Sequence, residues 1–133
     1  MNCFQMAMIA SALGGTAALA QNIDCTNAQV QLEMTFCAER DWQIADADLN
    51  AAYGAAQAMM KAVDADLPKD QQGASDNLRA AQRAWVTFRD AACSAEGYPS
   101  RGGSIEPMII YSCRARLTQS RAADLWSLSR QRE

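Results

Sequence analysis

The sequence predicts an all-α fold: a small antiparallel bundle of three main helices plus a short leading helix, stapled by two disulfides. Apolar side chains recur at intervals of three and four, and polar segments holding glycine and proline divide the chain into three such runs. No stretch alternates with the two-residue period of a strand. Four cysteines, Cys25, Cys37, Cys93 and Cys113, fall within the helical region, an even number that two bridges would use up.

The first twenty of the 133 residues, MNCFQMAMIASALGGTAALA, carry no charge and end in Ala18-Leu19-Ala20. A small-x-small ending before polar Gln21-Asn22 is the pattern of a secretory cleavage site, so residues 1–20 are expected to be a cleaved signal peptide, although the usual basic start is missing. A membrane anchor fits less well, because the run is short and interrupted by Ser11, Gly14, Gly15 and Thr16. Cys3 is expected to leave with the leader. Residues 21–133 would then be one domain, periplasmic or secreted, with no membrane span. Disulfides suit an oxidising compartment and a core of that size. A zinc site does not suit these cysteines, since none is spaced C-x-x-C and the chain has no histidine.

Thr26 with Gln29 three residues on reads as a helix N-cap and capping box. Val30, Met34, Ala38, Trp42, Ala45, Leu49, Tyr53, Ala56, Met60 and Val63 continue one helical face. DADLPKDQQG, residues 64–73, is polar, holds Pro68 and Gly73, and predicts a turn. A second helix starts near Ala74 or Ser75, with Leu78, Ala81, Trp85, Phe88 and Ala92 as its inward stripe. It should end soon after Cys93, ahead of Gly97, Pro99, Gly102 and Gly103. Ser104 can cap a third helix that tolerates Pro107 in its first turn and turns Ile110, Cys113, Leu117, Leu125 and Leu128 inward.

The cysteines constrain this arrangement. On one unbroken helix over residues 27–63, Cys25 and Cys37 would lie about 18 Å apart at 1.5 Å per residue, beyond the roughly 4.4–6.8 Å that a disulfide spans. Cys37 stands about level with Cys93 on antiparallel helices, but that pairing leaves Cys25 to reach Cys113 several turns away. The expected pairs are Cys25 with Cys37 and Cys93 with Cys113, with helix one broken near Cys37 so that a short leading helix folds back. A Cys37–Cys93 bridge is the alternative.

Without histidine, no Ser-His or Cys-His mechanism is available. Asp46 and Asp48 do not form a glycosidase pair, because residues two apart on a helix point about 200° apart. No Gly-rich phosphate loop and no dense basic patch is present, so nucleotide and nucleic-acid binding have no support. A binding protein is expected rather than an enzyme, with no cofactor and no metal. Nothing in the sequence sets an oligomeric state.

Several segments together resemble the LprI-type lysozyme-inhibitor family of secreted bacterial proteins, formerly known only as an uncharacterised domain: Cys25-x11-Cys37, ADADLNAAY at 45–53, AQRAWVTFRDAAC at 81–93, GGS at 102–104 and CRARLTQSRAADL at 113–125. The resemblance spans nearly all of residues 21–133, and its order and spacing carry it. It implies export, a disulfide-linked helical fold, and a role in binding and blocking lysozyme; the acidic surplus of the first half of the chain extends the expected partner to a lysozyme or another basic envelope protein. A structural or assembly protein of the cell envelope, with no enzyme target, is the alternative.

Two groups of residues are candidates for a site. Trp85 and Arg89 are one helical turn apart, so the arginine stem can lie along the indole while its guanidinium reaches Asp46, Asp48 or Asp90, with Asn50 and Tyr53 joining the cluster. That cluster reads first as a structural network fixing helix register. Tyr98, Arg101 and Ser104 lie in the loop closed by Cys93 and Cys113, where restricted freedom lowers the entropy lost on docking. Charge adds a third feature: residues 24–76 carry ten acidic and three basic side chains, a surplus suited to a basic partner.

Overall fold

The computed structural model describes residues 23–131. The expected leader, residues 1–20, and Cys3 lie outside them. Among the described residues there are three long helices and no strand: α1 Gln31–Asp66, α2 Ala74–Gly97 and α3 Glu106–Ser129. Single 3₁₀ turns, Lys69–Gln71 and Tyr98–Ser100, stand in the two connections.

The chain runs up, down, up. Arg89 of α2 meets Asp46 of α1 and Thr118 of α3, as antiparallel neighbours require. The short connections dictate that much, and α1 and α3 are consequently parallel. Gln31 donates to Met108 Sδ near the start of both, and Trp126 Nε1 donates to Asp48 farther along both. This parallel pair forms the most extensive interface of the bundle. Leu49, Ala52, Ala56, Leu78, Ala122 and Leu125 form the buried core, flanked by Tyr53, Met60, Trp85, Trp126 and Leu128. Fully buried Ala52, Ala56 and Ala122 let the helices approach closely, while the three leucines fill the space between them.

Both expected disulfides are present, and the route to the first differs from expectation. Cys25 and Cys37 have their Cα atoms 5.6 Å apart, yet α1 is unbroken at Cys37 and no leading helix precedes it. Instead the helix starts at Gln31, and residues 23–30 form a turn and an extended run that double back along its first turns. Thr26 does not cap a helix. Its N–H and hydroxyl both donate to Asp24 Oδ1, at 2.9 and 2.7 Å, and Asn27 N–H closes the turn on the Asp24 carbonyl. Local side-chain bonds of this kind compete with helix formation and here they prevail. Glu33 then reaches back to accept the Gln29 N–H at 3.1 Å.

The second bridge, Cys93–Cys113, joins α2 to α3 with 5.4 Å between Cα atoms, both cysteines being fully buried. Just beyond it the helices draw so close that a Cβ on Gly97 would meet Ile110 Cγ1 at 2.7 Å. Glycine is required there by proximity. On α2 the inward face is Leu78, Trp85, Arg89, Cys93 and Gly97, whereas Phe88, expected inside, is 60% exposed. The face holding the bridged Cys93 carries Arg89 inward with it, one residue round from Phe88. The third helix starts at Glu106, with Pro107 in its first turn as expected, but Ser104 is exposed in the preceding turn and does not cap it.

The start of α2 is capped from another helix. Asp64 of α1 accepts the backbone N–H of Gly73 and Ala74 on Oδ1 at 2.8 Å each and that of Ser75 on Oδ2 at 3.0 Å, satisfying donors that a helix end leaves unpaired. Those bonds, led by Gly73, hold the Asp64 carboxyl below its ordinary 3.8. A carboxyl with a folded pKa below its unfolded one stabilises the fold above the unfolded value, and that contribution is lost as pH falls through the folded pKa. Asp64→Ala is therefore expected to lower the melting temperature at pH 7. The difference from the parent should shrink once pH falls below 3.8 toward the folded pKa, as followed by circular dichroism.

Candidate functional site

Trp85 and Arg89 come together as their spacing implies, at the point where all three helices meet. Arg89 is 6% exposed. Its Nε donates to Asp90 Oδ1 at 3.0 Å, and one terminal nitrogen faces Asp46 Oδ1 at 3.3 Å and Thr118 Oγ1 at 3.4 Å. Its guanidinium carbon lies 5.3 Å from the Trp85 ring centroid and 5.5 Å from that of Trp42. The planar cation is weakly hydrated, so two indole faces and two carboxylates can replace its water.

The cluster is larger than the sequence suggested. Trp42 stacks on Tyr111, with ring centroids 5.7 Å apart, and carries Arg114 on its face at 4.9 Å. Arg114 Nε lies 3.4 Å from the same Asp90 oxygen that Arg89 uses. Trp42 and Asp46, four apart on α1, and Tyr111 and Arg114, three apart on α3, share faces, which is the signal that could have found them. Asn50 joins at the edge, donating to Asp46 Oδ2 at 3.3 Å. Tyr53 does not join. Its hydroxyl accepts from Gln57, which also binds Ser75, so it belongs to the α1–α2 turn. Asp48, considered as a partner for Arg89, instead accepts from Trp126.

Both cluster carboxylates are engaged by guanidinium groups, and the ring faces are packed against cations. The arrangement locks three helices in register. Among the described residues no three His, Cys, Asp or Glu side chains are grouped as metal ligands.

At the end of the bundle where α2 turns into α3, the three loop candidates are close in sequence but differently placed. Tyr98 is 63% exposed, and the Arg101 guanidinium lies over its ring at 5.3 Å. Arg101 also donates to Glu106 Oε1 at 2.9 Å, while the Gly102 N–H reaches Glu106 Oε2 at 2.7 Å. The Gly102 N–H, and secondarily Arg101, hold the Glu106 carboxyl below its usual range. Gly102 has φ +77°, a conformation that favours glycine, and it makes this tight return possible. Ser104 is exposed in the turn that follows. Tyr98 and Arg101 thus form one presented pair above the buried disulfide.

Comparison with known proteins follows the same outline. Residues 24–125 match the family model described as lysozyme inhibitor LprI. An uncharacterized protein of Rhizobium meliloti (strain 1021) is 42% identical over 108 residues, covering 79% of this chain and 78% of the relative. The crystal structure of a DUF1311 family protein from Pseudomonas putida KT2440 is similar with a TM-score of 0.66 and 27% identity, over 79% of this chain and 99% of that one. The matched region holds both disulfides, the Arg89 cluster and the loop.

Arg89→Ala would leave Asp46 and Asp90 facing two indoles without their shared cation. A broken fully buried ion pair costs about 3–5 kcal/mol, and the expected loss is smaller, about 2 kcal/mol, because Asp46 and Asp90 are 42% and 43% exposed and Asp90 keeps Arg114 beside it. Trp85→Ala is expected to cost about 3 kcal/mol by opening a cavity beside the guanidinium. Chemical denaturation followed by far-ultraviolet circular dichroism measures both. Either variant melting like the parent would show that the cluster does not hold the helices.

Proposed function

The chain belongs to the lysozyme inhibitor LprI family, and from that membership we propose that it is an exported protein, periplasmic or secreted, that binds a basic lysozyme and blocks it without catalysing a reaction. The observation that carries this reading is the Tyr98–Arg101 pair, exposed on a loop that the Cys93–Cys113 bridge closes. A lysozyme cleft presents two carboxylates. Arg101 can donate charge-assisted bonds to them while Tyr98 packs on the sugar-binding surface. Glu106 holds the arginine in place beforehand, which reduces the entropy lost on docking. Two disulfides suit an oxidising compartment, and no helix among the described residues is long and apolar enough to cross a membrane.

The acidic surplus of the first half of the chain is a weaker candidate for the contact surface. Asp24, Asp46, Asp48, Asp64 and Asp76 each have a partner within the chain. These carboxylates are committed to bonds within the fold, Asp46 and Asp76 to arginines and the others to neutral donors.

A role as an assembly protein of the envelope is the second reading, and the Arg101–Glu106 pair favours it, because the arginine is already satisfied within its own chain. The two readings part in one assay. The oxidised protein is expected to inhibit at least one of a panel of lysozymes of several classes, and Arg101→Glu with Tyr98→Ala is expected to abolish that inhibition. Helicity should be retained and the melting temperature should fall only slightly, since the Arg101 side chain is 68% exposed and the carboxylate that replaces it can turn away from Glu106, which keeps the Gly102 N–H. Inhibition retained by the folded double variant would exclude the loop, and a parent that inhibits none would leave the assembly role.

A further inference from the structure

A groove of about 270 Å³ runs between the C-terminal end of α2 and the first turns of α3, lined by Ser94, Glu106, Pro107, Ile110, Tyr111 and Arg114. We propose that it is a binding site for a carboxylate carried on a short aliphatic stem, with Arg114 as the anchor. The inference is independent of lysozyme binding.

Arg114 is built into the groove. Its side chain is 23% exposed, and its guanidinium is braced on the Trp42 ring, itself stacked on Tyr111, so its orientation is set in advance. It is also undersupplied with acceptors. The nearest carboxylate oxygen, Asp90 Oδ1, takes its hydrogen bond from Arg89 at 3.0 Å and faces only the buried Arg114 Nε, at 3.4 Å without an aligned bond. Buried donors are rarely left unsatisfied. The terminal nitrogens, which carry the exposed part of the guanidinium, donate to no acceptor among the described residues and are the donors offered to a ligand. A carboxylate is the group whose geometry fits a guanidinium.

The walls define the rest of the ligand. Ile110, Pro107 and the Tyr111 ring supply apolar contact for a short stem. Ser94 donates its hydroxyl proton to the Asp90 carbonyl at 2.8 Å, which leaves its oxygen free to accept an amide N–H. Glu106, engaged by Arg101 and Gly102, leaves Arg114 uncontested but disfavours a second negative charge on the ligand. The volume lies below the roughly 300 Å³ at which pockets for drug-sized molecules begin, which suits about two residues of peptide. The carboxylate can belong to a peptide chain end or to an acidic side chain of a partner.

Three probes separate these sources: N-acetyl-alanyl-alanine, the α-amide of N-acetylglutamic acid, and the C-terminal amide of N-acetyl-alanyl-alanine. Each is titrated into the full oxidised protein, with the Arg114 Nε–H and Trp42 indole N–H resonances followed by NMR. At least one acid is expected to move both resonances saturably and to bind at least 10-fold more tightly than the neutral amide, the better acid identifying the source. Arg114→Gln is expected to erase that preference. Ser94→Trp, which fills the groove and leaves the Arg114–Trp42 contact in place, is expected to weaken acid binding at least 10-fold in a protein with parental helicity. Equal binding of acid and amide, no saturation by either acid, or parental affinity in folded Ser94→Trp would each overturn the proposal.

Discussion

The burial of one guanidinium organises the bundle. Arg89 lies where α1, α2 and α3 meet, between two indoles and within reach of Asp46, Asp90 and Thr118. A buried cation is tolerated only if its charge and its donors are met, so each helix must present its partner at one height. That requirement sets the axial register of a bundle whose hydrophobic core is composed mainly of alanine and leucine. Small side chains pack closely but can slide past one another, and directional bonds to Arg89 remove that freedom.

Both disulfides lie toward one end of the bundle, where α1 and α3 begin and α2 ends. Cys93–Cys113 ties α2 to α3 one turn beyond Arg89 and stands directly below the exposed loop, so the Tyr98–Arg101 pair projects from the most constrained end of the bundle. Cys25–Cys37 fastens a segment that has no helix of its own to the start of α1. The first bridge constrains the leading strand of chain and the second constrains the end that carries the loop. Rigid support under a short polar loop is the arrangement expected of a surface that must keep its shape when it binds.

The match to the lysozyme inhibitor LprI family covers residues 24–125, from the Asp24 turn to core Leu125. Its conspicuous segments therefore serve the fold as well as any binding. AQRAWVTFRDAAC supplies Trp85, Arg89, Asp90 and Cys93, while CRARLTQSRAADL supplies Cys113, Arg114, Thr118, Ala122 and Leu125. The proposed lysozyme contact falls on the loop between these two segments.

The sequence by itself determined the all-helical class, a start of α2 near Ala74 or Ser75 and the meeting of Trp85 with Arg89, because each rests on periodicity, turn residues or one-turn spacing within a single element. Both expected disulfide pairs are present, but the broken first helix that the pairing presupposed is not, since the chain ahead of an unbroken α1 doubles back instead. Only the tertiary structure decided the rest. Phe88 faces outward and Arg89 inward because partners on α1 and α3 make the cation the better core residue, a choice hydrophobicity alone would reverse. Trp42, Tyr111 and Arg114 enter the cluster, and Tyr53 leaves it, through the parallel alignment of α1 with α3 and the local bonding at the α1–α2 turn. The leading segment is a turn and not a helix because Asp24 captures the Thr26 donors before a helix can use them. In each case the deciding partner lies on another element or in a competing local bond, and neither appears in the spacing of residues along one helix.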